Sequence, residues 1–172
     1  MRKVDAFNHI WPAPFYAAIK DVMGPMSDIT RRSEAVPMMT DLDVRFRIMD
    51  QFDDYQQILS LASPPLELAG DAKKGRMLSQ VGNDAMAELC EKYPDRFAGF
   101  IATVAMHDYD GVIGEIDRSI NDLGAVGIQI YTNVQGQPLD KPVFRPVFER
   151  MNELKKPIWI HPARGSNVPD YK

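Results

Sequence analysis

Two of the chain's three histidines stand where a strand-like run gives out. His161 closes Pro157-Ile158-Trp159-Ile160-His161, and Pro162 stops the run there. His9 closes Lys3-Val4-Asp5-Ala6-Phe7-Asn8-His9 in the same way, ahead of Pro12 and Pro14. Neutral imidazoles converging from two strand ends suit zinc or a similar divalent ion. An ion held with one position open to water lowers that water's pKa towards ~7 and polarises what it touches. Catalytic zinc sites draw about three ligands from the protein, so two imidazoles alone make a partial set.

Other side chains near these strand ends are candidates for substrate contacts. Trp11 either floors a pocket beside His9 or packs the loop that follows it. Arg164, three residues past His161, has the geometry to clamp a carboxylate through paired hydrogen bonds. Asn133 and Gln135 occupy the polar loop after the fourth strand. His107 belongs to a loop that starts a helix, with Asp108 or Asp110 as its cap. Phe7 is expected to fill space in the mouth where a ligand would stand. Asp5, one layer deeper on the same strand face, would need a hydrogen-bond partner if buried.

The elements that must position these groups alternate. Strand-like runs cover 3–9, 55–62, 97–105, 125–131 and 157–161, each nearly all apolar or bounded by turn residues. Helical patterns lie between them. One is capped by Thr40, with an apolar face of Val44, Ile48, Met49 and Phe52. Another runs from Asp71 to Lys92 on Leu78, Val81, Ala85 and Leu89. A third covers Asp110 to Leu123, and a fourth Pro142 to Lys155 on Val143, Val147, Met151 and Leu154. Residues 12–39 read as an excursion after the first strand, with short helices near Phe15–Met23 and Asp28–Ala35. Strand–helix alternation with doubly buried strands means a parallel sheet with right-handed crossovers. Ligands gather at the carboxyl ends of such strands, which is where both histidines sit. A closed (β/α)8 barrel takes about 250 residues. The expected fold is therefore α/β: the first five parallel strands, with their helices, of an incomplete TIM-type barrel filling residues 1–172. A flavodoxin-like domain lacks support, because no glycine-rich phosphate loop follows the first strand.

Three stretches together resemble the amidohydrolase-related family typified by aminocarboxymuconate-semialdehyde decarboxylase. The first is Asp5-Ala6-Phe7-Asn8-His9-Ile10-Trp11-Pro12, and the second Asp95-Arg96-Phe97-Ala98-Gly99-Phe100. The third passes from Gly124-Ala125-Val126-Gly127-Ile128-Gln129 through Phe144-Arg145-Pro146-Val147-Phe148 to the strand ending at His161 and Pro162. The resemblance implies a β/α barrel about twice this length. It implies one divalent metal and nonoxidative decarboxylation, hydration or hydrolysis of a small carboxylated compound. It makes His9 the second member of a metal-binding pair and His161 the ligand on the fifth strand, while Phe7 falls where the first member of the pair would be. The family's late histidine and aspartate have no counterparts up to Lys172, so the catalytic acid–base groups are expected beyond that residue. An arginine that decarboxylase members use for a substrate carboxylate falls near Val36. The expected ion is zinc, with manganese as the alternative.

Composition sets bounds on the rest. A formal charge of −4 argues against nucleic acid as a partner. No run approaches the roughly 20 apolar residues of a membrane span, and no signal peptide is expected. The single cysteine, Cys90, is expected to be a small buried thiol in a cytoplasmic protein. Five strands of an unclosed barrel leave two unpaired edges, so self-association across them, as a homo-oligomer, is expected. The competing reading is a non-catalytic half-barrel that self-associates or is completed by another chain.

Overall fold

A computed structural model describes residues 1–24, 32–61 and 64–163. Four strands, β1 (Lys3–Asp5), β2 (Tyr55–Leu59), β3 (Phe97–Thr103) and β4 (Gly127–Tyr131), pair in parallel in sequence order. A hairpin, β5 (Asn133–Val134) with β6 (Gln137–Pro138), precedes β7 (Ile158–His161), which pairs with β4 as the fifth strand of the sheet. The helices are α1 (Ala13–Met23), α2 (Leu42–Met49), α3 (Ala72–Lys92), α4 (Val112–Asp117) and α5 (Arg145–Leu154). The result is the expected five parallel strands, curled as half of a barrel.

The register fixes which side chains face inward. The indole N–H of Trp159 donates to the Ala6 carbonyl at 2.8 Å, reaching from the last strand to the segment after the first. Trp159 and His161 therefore lie on the concave face. Their register partners Gln129 and Tyr131 share it. Ile128 and Ile130 alternate to the convex face, where they join Phe100, Ala102 and Leu59 in the core beneath the helices. Gly127 has no room for a side chain, since a Cβ would lie 2.6 Å from the Pro157 carbonyl.

Helix α3 is the chief cover of the sheet, capped by Asp71, whose carboxylate accepts from the Lys74 N–H. Its Gly82 allows close approach, because a Cβ there would meet Leu61 at 2.6 Å. Asn83 of α3 is fully buried. It bonds both the N–H and the carbonyl of Thr103 and reaches Glu115 Oε1 at 2.7 Å, joining α3, β3 and α4 through satisfied polar groups.

Several expectations change in detail. The first strand ends at Asp5, and the chain bends at Phe7 before Ile10 bridges to Leu61. Asp41, not Thr40, caps α2 by accepting from the Val44 N–H. The buried face of α2 is Arg45 and Met49, while Ile48 and Phe52 are exposed. Residues Arg118–Asp122 continue α4 as a π-helical turn. Val143 lies in a short 3-10 turn and is exposed. Of the helix expected near Asp28–Ala35, residues 28–31 lie outside the described residues and 32–34 are helical.

Candidate functional site

The sheet's carboxyl ends bring His9 and His161 together, with ring centroids 5.1 Å apart. Phe7 completes a triangle, 5.2 Å from His9 and 6.0 Å from His161. It is half exposed rather than packed in the core, because the chain bends at this residue. Tyr131 packs against His161, with ring centroids 5.1 Å apart.

Each imidazole has one nitrogen engaged. His161 Nδ1 lies 2.8 Å from the Pro162 carbonyl, which can only accept, so Nδ1 carries a hydrogen there. His9 Nδ1 lies 3.0 Å from Ser60 Oγ. Burial pushes the His9 pKa down to about 4, helped by the nearby His161 and Arg45 charges and opposed by the Leu61 carbonyl and Asp5. His9 is therefore neutral at physiological pH, the state that binds a metal.

A buried arginine, which nothing in the sequence pattern singled out, fixes the segment carrying His9. Arg45 is wholly shielded from solvent. It donates to the His9 carbonyl, to Asn8 Oδ1, to Gln57 Oε1 at 2.6 Å and to the Met38 carbonyl. Burial pushes its pKa down to about 10, still charged at pH 7. Asp5 belongs to this network rather than to the mouth. Its carboxylate accepts from the Tyr55 hydroxyl and the Phe7 N–H, and Tyr55 in turn accepts from Gln57.

The remaining candidates lie elsewhere. Trp11 is fully buried and stacked on Tyr16 at 5.4 Å, away from the triangle. Asn133 holds the hairpin, accepting from the Gly136 N–H and donating to the Ala163 carbonyl. Gln135 donates to the Glu67 carbonyl. His107 sits before α4 with both ring nitrogens buried and unpartnered, and Asp108 pairs with Arg76 instead of capping by its side chain. Arg164 lies outside the described residues. So does Lys172, beyond which the acid–base groups are expected. Cys90 is half-buried, and burial raises its thiol pKa to about 12.

The donor set fits a divalent ion in part. Two imidazoles stand with ring centroids 5.1 Å apart, but the third corner is a phenyl ring. Among the described residues no group of three or more His, Cys, Asp or Glu side chains could hold a metal.

The family model described as Amidohydrolase matches residues 4–171. Gamma-resorcylate decarboxylase of Rhizobium radiobacter is 36% identical over 126 residues, covering 70% of this chain and 38% of that one. The 2-amino-3-carboxymuconate-6-semialdehyde decarboxylase of Dictyostelium discoideum is 34% identical over 122 residues, covering 71% and 34%. A crystal structure of 5-carboxyvanillate decarboxylase from Novosphingobium aromaticivorans holds manganese and 3-methoxy-4-hydroxy-5-nitrobenzoic acid. It superposes with a TM-score of 0.77 at 30% identity, covering 95% of this chain and 51% of that one. The chain spans about half, or less, of the length of the relatives it matches. With a match running almost from end to end, and with the half-barrel that places His9 against His161, the chain belongs to the amidohydrolase family.

Proposed function

We propose that this chain supplies part of the active site of a metal-dependent carboxy-lyase acting on a small aromatic carboxylate. The observation that carries the reading is the convergence of His9 and His161, 5.1 Å between centroids, each with Nδ1 engaged. The solved relative with bound manganese and a nitrobenzoic acid supports both the ion class and the substrate class. Hydrolysis at the same site is the related chemistry the family leaves open. His9 and His161 would hold one divalent ion, either manganese or the zinc suggested by the imidazole donors. Such an ion, when bound, supplies Lewis-acid polarisation of the substrate's oxygens. The chain's own part is to present two imidazoles at the sheet's carboxyl side, His161 from the end of β7 and His9 from the segment after β1, with Phe7 beside both rings. Further donors and the acid–base groups would come from strands beyond these five, in sequence past Lys172. Arg164 is a candidate for a substrate carboxylate, and Asn133 and Trp11 would act at most from behind the mouth.

The test is His161→Ala in the whole protein, read by metal content per chain and by carbon dioxide release from 2,6-dihydroxybenzoate and 5-carboxyvanillate. Metal content and activity are expected to fall together, activity by at least about a hundredfold, at the upper end for loss of a metal-site interaction. Retention of both would remove the reading.

A second reading is favoured by Ile160, which lies on the convex face of β7 and is 52% exposed. An open edge of this kind suits self-association or completion by another chain. A single cysteine with a raised thiol pKa suits the reducing cytoplasm. Among the described residues no helix is long and apolar enough to cross a membrane.

A further inference from the structure

We propose that Glu67, together with His107, is a proton-controlled latch on the carboxyl rim of the sheet, shut while Glu67 Oε2 carries a hydrogen and opened when that carboxyl ionises. The inference does not depend on the reading of His9 and His161 as ligands.

Glu67 is where three loops meet. It lies in the 3-10 turn Leu66–Ala69 that follows β2. Its Oε1 accepts from the N–H of Met106, in the loop after β3, at 3.1 Å. Its carbonyl accepts from Gln135 Nε2, in the hairpin after β4, at 3.0 Å. One residue thus fastens the loops after β2, β3 and β4 to one another.

The same side chain is a poor place for a charge. Glu67 is 3% exposed, and its Oε2 is shielded from solvent without a hydrogen-bond partner. A bare carboxylate oxygen in a dry surrounding is costly, and taking up a proton relieves most of that cost. Burial accordingly pushes the carboxyl above its usual range, against the opposing pull of its own N–H, the Met106 N–H and His107. Both ring nitrogens of His107 are likewise shielded and unpartnered. Its ring is pressed on α3, where a Cβ at Gly75 would lie 2.5 Å from Cε1. The turn also packs on α1, which carries Lys20 and Asp21, and on the start of α3. Lys20, Asp21, Lys73 and Lys74 are exposed, Asp71 caps α3, and Arg76 is paired with Asp108. His107 is left as the charge that acts on Glu67.

The way out is short. Leu68, the next residue, is 59% exposed, so the turn has solvent on its outer side. An ionised Glu67 gains hydration by swinging there, which gives up the Met106 N–H and draws its carbonyl from Gln135. The sign follows from the raised carboxyl. Its contribution to the closed rim is present below the unfolded value of about 4.3 and is lost as pH rises through the higher folded value.

The test follows the Glu67 carboxyl carbon by 13C spectroscopy in the whole protein, with amide exchange of Met106 beside it. Exchange is expressed relative to an unstructured chain at the same pH, which removes ordinary base catalysis. The carboxyl is expected to titrate above the ordinary glutamate value of about 4.3, with Met106 protection falling about tenfold as it does. Glu67→Gln keeps the acceptor but has nothing to ionise, and its Met106 protection is expected to stay level over that range. His107→Gln removes a charge that favours the carboxylate, and is expected to move the Glu67 titration further up. A carboxyl titrating at or below the ordinary value would overturn the proposal. So would a Glu67→Gln protein with the unaltered pH trend at Met106, or a titration that His107→Gln leaves in place. Should a variant fail to fold, the titration of the unaltered protein decides by itself.

Discussion

Phe7 occupies one corner of a triangle whose other corners are imidazoles, with sides of 5.1, 5.2 and 6.0 Å. A phenyl ring has no lone pair to offer an ion, so it walls the spot without holding anything there. Phe7→His would place a third imidazole at that corner and bring the set to the three protein ligands usual for a catalytic zinc site. Affinity for Zn2+ is expected to rise at least about tenfold, about 1.4 kcal/mol, measured by titration against a competing chelator. Unchanged affinity would mean that the corner does not face the other two. His161 was legible in the sequence because it terminates an apolar run at a proline-marked strand end, and His9 because it closes a strand-like run ahead of Pro12, although β1 itself stops at Asp5. Ser60 and Arg45 were not. A serine after a strand carries no periodic signal, and a lone arginine among Asp41, Asp43 and Arg47 reads as solvated surface.

At the scale of elements, α2 is the instructive case. Its apolar residues suggested a face of Val44, Ile48, Met49 and Phe52, yet the helix is rotated to bury Arg45. Four carbonyl and amide oxygens waiting along β1, β2 and their loops outweigh the burial of one isoleucine, because an unmet buried acceptor costs about 1–3 kcal/mol. The five strands of the sheet were readable from apolar runs, but the hairpin β5–β6 was not. It turns on Gln135 and Gly136, both with positive φ, and only the glycine announces such a turn. A second ionic feature makes a prediction about pH. Arg76 hydrogen-bonds both oxygens of Asp108 at 2.6 Å and holds that carboxyl below its usual range. The folded form thus favours the charged carboxylate. The contribution is present above the unfolded value of about 3.9 and is lost as pH falls through the lower folded value. Arg76→Met should therefore lower the urea midpoint at pH 7 and leave it nearly unchanged at pH 2. An equal loss at both pH values would show that packing, not charge, joins α3 to the loop before α4.

At the scale of the whole chain, one flank is uncovered among the described residues. A shallow, open depression on the convex side is lined by Leu139, Asp140, Lys141, Arg145, Phe148 and Ile160. Helices cover the same face of the inner strands, whereas among the described residues none covers β7. Size exclusion with light scattering is expected to show the 172-residue chain associating as its concentration rises. Ile160→Lys should shift the profile towards monomer by charging the flank. A monomer at every concentration in the unaltered chain would count against self-association.

The Trp159 indole, bonded to the Ala6 carbonyl, acts as a crossbar between the two rims of the trough. Its rigid bicycle sets how far apart those rims can stand, and the imidazoles above inherit that gap. The spacing of the two rims is thus tied to one indole that joins the last strand to the segment after the first.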